Sequence, residues 1–158
     1  MQEKQISQID SLYKVVDSVS FKLNKINKDT IKNRFQLFKV MNDTVSKHFH
    51  EVRNDESWSY ICNFQNVRKP FKTMVFNYDL YKSNIDSSKK QLIDLKHDVE
   101  KGLVKEKNVN SYLKIESQLI NTVCIKVMKN IDQVNAQMKN FDTVQPYLFN
   151  LIKEHKAK

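Results

Sequence analysis

The residue cluster closest to a metal site is His48-Phe49-His50-Glu51, with His97-Asp98 further along the chain. An α-helix turns about 100° per residue, so His48 and His50 point about 200° apart and cannot grip one ion. Zinc-binding helices space their ligands three or four residues apart instead. A di-iron helical site needs Glu-x-x-His on facing helices. Asp94-Leu95-Lys96-His97 and Lys47-His48 imitate that pattern only in part. The expectation is surface histidines, with no metal and no cofactor.

Carboxylates that do acid–base work must be shielded enough to shift their pKa. Asp94, Asp98 and Glu100 lie in a lysine-rich stretch that reads as a solvated face. Glu116 is different, because it falls near an apolar seam. It is the one carboxylate to watch, and its ordinary role would be a rim residue paired with lysine. Cys124 sits beside the same seam, where a free cysteine behaves as a small hydrophobe. Cys62 lies among aromatics. A reactive thiolate needs an electropositive, partly exposed setting, and the sequence supplies none it can identify. Phosphate-cradling loops and nucleophile elbows need several glycines; this chain has one, Gly102. No catalytic residue is assigned, and no enzyme is expected.

Basic residues interleaved with aromatics, Arg68-Lys69-Pro70-Phe71-Lys72, have the composition that stacks on and neutralises single-stranded nucleic acid, although five residues are a weak signal. The net charge of +9 points the same way, toward nucleic acid or an anionic membrane. Only three of the 27 basic residues are Arg, however, and Arg is preferred for bidentate phosphate contacts. The excess is also spread along the chain. With sixteen Asn beside 24 Lys, AT-rich coding accounts for the composition equally well.

The elements that position these residues follow from glycine and proline usage. One Gly and two Pro in 158 residues compare with about eleven and eight at average usage. So few turn residues require long elements with few connections, and 40% hydrophobic content argues against disorder. The chain reads as one all-α domain over residues 1–158, a long-helix antiparallel bundle with coiled-coil-like heptads.

Ile9, Leu12, Val16, Val19, Leu23 and Ile26 alternate spacings of three and four, as in a coiled-coil seam. After a one-residue phase slip the pattern resumes at Ile31, Phe35, Phe38, Val45, Phe49 and Val52. Local unwinding absorbs such a slip within one bent helix over 4–53, the reading slightly preferred. A turn at Asn27–Thr30 would give two helices instead. Residues 54–69 break the period; Ser57 or Asp55 is a candidate cap for a short helix carrying Trp58, Ile61 and Cys62. That segment is either a connector plugging the end of the bundle or an exposed aromatic docking loop.

Pro70 opens the next helix, with Phe71, Tyr78, Ile85, Leu92 and Val99 at seven-residue steps and Gly102 as its C-cap. A tight turn leads to Leu113, Ile120, Val127, Val134 and Phe141, again at steps of seven, so the two helices form an antiparallel hairpin. Leu92 and Leu95 are expected to meet Ile120, Val123 and Val127. Beyond Phe141, Asp142 is a candidate N-cap for a separate short helix over 143–156, the alternative being one helix kinked at Pro146.

This periodicity is common to many unrelated helical proteins and assigns no family. The leading expectation is a non-catalytic interaction or structural protein acting through protein–protein contacts; the alternative is binding of an anionic surface. A continuous first helix would carry Ile6, Ile9, Leu12, Tyr13 and Val16 past the hairpin, and such a stripe marks a partner or self-association surface; a turn at Asn27–Thr30 would instead give a self-contained four-helix monomer. No run of eighteen apolar residues is present, so no transmembrane segment is expected. The start lacks an apolar signal core, which fits a cytoplasmic protein or an exported one whose signal segment lies outside this sequence.

Overall fold

The computed structural model describes residues 2–48 and 55–156, and every element among them is helical. The helices are α1 (Gln2–Asn24), α2 (Lys28–His48), α3 (Asp55–Gln65), α4 (Arg68–Glu100) and α5 (Glu106–Lys156). They divide between two compact units, residues 1–26 with 78–129 and residues 27–77 with 130–158.

The first unit contains α1, most of α4 and the N-terminal half of α5. Its core is the expected seam: Ile9, Val16, Val19 and Leu23 from α1, Ile85, Leu92 and Val99 from α4, and Val109, Leu113, Ile120, Cys124 and Val127 from α5. Polar ties set the register. Lys96 and Lys89 of α4 pair with Asp10 and Asp17 of α1 at 2.7 and 2.6 Å, seven-residue steps running in opposite directions, so the two helices are antiparallel. Gln5, buried among them, donates to Asn110 Oδ1 at 3.0 Å, which sets the start of α1 beside the start of α5. Leu92, Ile120 and Val127 are fully buried in this core, and Leu95 and Val123 are half-buried.

α4 closes as its sequence predicts. Gly102 has φ +66°, Leu103 N–H donates to Asp98 O at 2.9 Å, and Gly102 N–H donates to Val99 O at 3.1 Å. These bonds satisfy the last carbonyls of the helix in a left-handed cap that glycine adopts without a Cβ penalty.

The preferred reading of one helix over 4–53 is overturned: the chain turns between Asn24 and Lys28. Lys25 and Ile26 donate to Lys22 O and Leu23 O, which tightens the end of α1. Asn27 Oδ1 then accepts from Thr30 N–H at 3.0 Å, an N-cap for α2. Capping satisfies more backbone groups than an unwound helix would, so the phase slip becomes a turn.

The second unit contains α2, α3, the first turns of α4 and the rest of α5. Its core is aromatic. Phe38 lies 4.9 Å from Phe64, centroid to centroid, and Phe141 packs between Phe64 and Phe71 at 5.8 and 6.1 Å. Tyr60 stacks on Tyr147 at 4.0 Å. Ser57 lies inside α3 instead of capping it, and its hydroxyl meets Tyr147 Oη at 3.0 Å. The connector reading fits Ile61 and Phe64, which are buried, while Trp58 stays exposed.

No separate helix forms over 143–156, since α5 runs through Pro146 to Lys156. Val144 and Leu148 continue the buried face of Phe141 past the proline, and that packing outweighs the backbone bond which proline removes. Asp142 caps nothing; it pairs with Arg34 of α2 at 3.1 Å.

Candidate partner-binding groove

Three faces of α1 are distinguished by what they touch. Ile9, Val16, Val19 and Leu23 face the core. Asp10 and Asp17 face α4, as does Tyr13, whose ring has Lys89 Nζ 5.8 Å from its centroid. The third face, Gln8, Ser11, Leu12, Val15, Ser18 and Lys22, lines two adjoining cavities that share Val15. These have volumes of about 570 and 360 Å³. Their opposite wall is α5, through Asn110, Leu113, Lys114, Ser117 and Met128. The result is an open groove along two parallel helices, with a floor of Leu12, Val15, Val19 and Leu113. From Gln8 to Lys22 it runs about 21 Å, or four helical turns.

Helices pack when ridges of one fill grooves of another, at 8–10 Å depending on the size of the contact residues. Ser11, Ser18 and Ser117 keep this groove shallow-walled and let another backbone approach closely. The spacing along α1 alternates three and four, so the face presents a second seam beside the one in the core. Three helices supply this unit's core.

The residues expected to form the contact surface fare differently. Ile9 and Val16 are each 1% exposed and belong to the core, which corrects their assignment to a partner, and the turn after α1 removes the continuous helix on which that assignment rested. Ile6, Leu12 and Tyr13 are half-buried; Leu12 lines the groove and Tyr13 faces α4. Val15 and the serines of the groove were missed. The available signal was the repeat Gln8, Ser11, Leu12, Val15, Ser18, Val19, Lys22, hidden because half its members are polar.

Of the residues considered for chemistry, His50 and Glu51 lie outside the described residues, as do Phe49 and Val52. His48 ends α2. His97 Nδ1 and Asp98 Oδ1 are 3.5 Å apart at the end of α4. Among the described residues no group of three or more His, Cys, Asp or Glu converges on one point. Burial pushes the Cys124 thiol up, away from the thiolate. Cys62 is exposed. Glu116 is not paired with lysine as expected: its Oε2 is buried without a protein partner, and burial raises its pKa. Arg68 and Lys72 do come together with Lys39 along a third cavity of about 400 Å³ in the other unit, which Asp43 also lines. The aromatic they accompany is Phe76, 71% exposed, because Phe71 is fully buried.

Compared with known proteins, the chain matches no family model, no curated protein and no solved structure. The residues themselves therefore carry the functional reading. No helix among the described residues is long and apolar enough to cross a membrane.

Proposed function

We propose that this chain is a non-catalytic helical interaction protein whose α1–α5 groove receives a helix of a partner. The observation that supports this is the second seam of α1, where Leu12 and Val15 line an open cavity between serines. Apolar side chains at helical spacing beside small residues are the lining that helix-in-groove recognition uses. Contact with a partner would shield Val15, now 45% exposed, and would bury the floor of the groove.

A photo-reactive residue at Ser11, introduced in the organism that makes the protein, tests this. One discrete cross-linked species is expected, and it should disappear when Ser117→Trp blocks the opposite wall. Cross-linking of equal strength from Asp86, on an exposed part of α4, would sink the reading.

A second reading rests on the other unit, where Lys39, Arg68 and Lys72 flank Phe76. Three cations beside an exposed ring, against the one acid Asp43 on the same cavity, suit an anionic surface or a single-stranded nucleic acid. Retention on heparin should fall steeply with salt and weaken in an Arg68→Ala/Lys72→Ala variant. Retention unchanged by that variant would count against it.

A further inference from the structure

We infer that the helix received by the α1–α5 groove is acidic: an amphipathic helix of another protein, with a seam of small and apolar residues flanked by Glu or Asp. The inference rests on the groove being a partner site and adds the chemistry of its occupant. Its basis is the charge of the lining. Lys14 and Lys22 of α1 and Lys114 of α5 border the two cavities, and no acidic residue lines either one. All three lysines are exposed, and none forms an ion pair among the described residues. The acids of α1 that might have balanced them, Asp10 and Asp17, are held on the α4 side by Lys96 and Lys89. The bond to Asp10 also raises the pKa of Lys96, which holds its ammonium charged.

This arrangement selects between occupants. A second copy of the chain carries +9 and would bring its own lysine-rich helices against Lys14, Lys22 and Lys114. Like charges placed opposite one another suppress a partner, and opposite charges steer one in. The length of the groove fits a helix of about sixteen residues, four to five turns. Lysine stems can lie along the apolar seam of such a helix while their ammonium groups reach carboxylates at its edges.

The test uses three synthetic helical peptides of about sixteen residues. They share a Leu/Ala seam and differ only in flanks of Glu, Gln or Lys. Each is titrated into the full-length, isotope-labelled protein while the amide signals of Ser11, Val15 and Ser117 are followed. The Glu-flanked peptide should move those signals and bind roughly tenfold more tightly than the Gln-flanked one, since each exposed pair contributes only a few-fold. The preference should shrink at high salt. A Lys14→Glu/Lys22→Glu/Lys114→Glu variant, with its helicity checked by circular dichroism, should prefer the Lys-flanked peptide. Equal binding of all three at the groove would overturn the acidic occupant and leave the helix-binding site standing. Failure of every peptide to move the groove signals would overturn both. A doubled mass in light scattering that Ser11→Trp abolishes would assign the groove to a second copy and overturn the inference.

Discussion

Leu92 and Ile93 are neighbours on α4 with opposite fates, and that makes them a calibrated pair. Leu92 is 0% exposed in the core of the first unit, whereas Ile93 is 55% exposed. Leu92→Ala removes three carbons from a fully buried position. At about 0.8 kcal/mol per buried methylene the transfer loss is about 2.4 kcal/mol. The cavity left beside the surrounding seam adds to this and brings the total to about 3–4 kcal/mol, within the span found for buried leucines. For a chain of this size that is a fall in Tm of about 10 °C. Ile93→Ala removes carbons already in water and installs a better helix former, so it should stay within about 0.5 kcal/mol of the parent. Urea unfolding followed by circular dichroism reads both variants. Equal destabilisation, or a loss at Leu92 below about 1 kcal/mol, would refute the placement of the α4 seam.

Glu116→Gln should flatten the acid limb of the stability curve. The folded-state pKa of Glu116 is raised by burial, so folded chains retain a proton that unfolded chains have lost. Stability therefore declines as pH rises from the ordinary glutamate value through the raised one. The variant should lack that decline and be at least as stable at pH 7, whereas a clear loss there would reveal a favourable partner for the carboxylate. Asn27→Ala removes the acceptor for Thr30 N–H and should cost about 1 kcal/mol by denaturant unfolding. A gain in helicity and stability would show that α1 and α2 prefer to fuse.

The class of fold was legible because one Gly and two Pro leave no means of making the turns that sheets require. The core was legible for a related reason: of the residues at steps of seven on α4, Phe71, Ile85, Leu92 and Val99 are buried and Tyr78 is half-buried. Three features were not. The one-residue slip near Asn27 permits either unwinding or a turn, and only the capping bonds at Lys25–Thr30 decide. Pro146 has a strong local bias against helix, and the buried side chains of Val144 and Leu148 overrule it. The register of α1 against α4 and α5 depends on Gln5, Lys89 and Lys96 reaching particular partners, which periodicity does not encode. Glu116 was legible as the carboxylate apart from the rest, but its lack of a partner is a tertiary fact. The groove was hardest to see, since its face of α1 alternates Ser11 and Ser18 with Leu12, Val15 and Val19 and reads as an ordinary solvated flank until its neighbour is known.

The core face of α1 and the face proposed for recognition lie on different sides of the same helix. The core face of α1 is anchored at both ends, by Gln2 Nε2 donating to Val99 O at 2.6 Å and Gln5 donating to Asn110, and by Leu23 buried at the other end. Its α4 face is fixed by two ion pairs at a seven-residue interval. Exposed pairs of this kind contribute little to stability, but they fix rotation about the helix axis, and rotation decides which residues face the groove. A turn of α1 by one residue would swing Leu12 away and bring Tyr13, which now faces α4, in its place. On the proposed reading the two aspartates orient the groove more than they hold the fold, and Ser11, Ser18, Lys22 and Lys114 could vary to suit a partner without touching the seam that holds α1 in place.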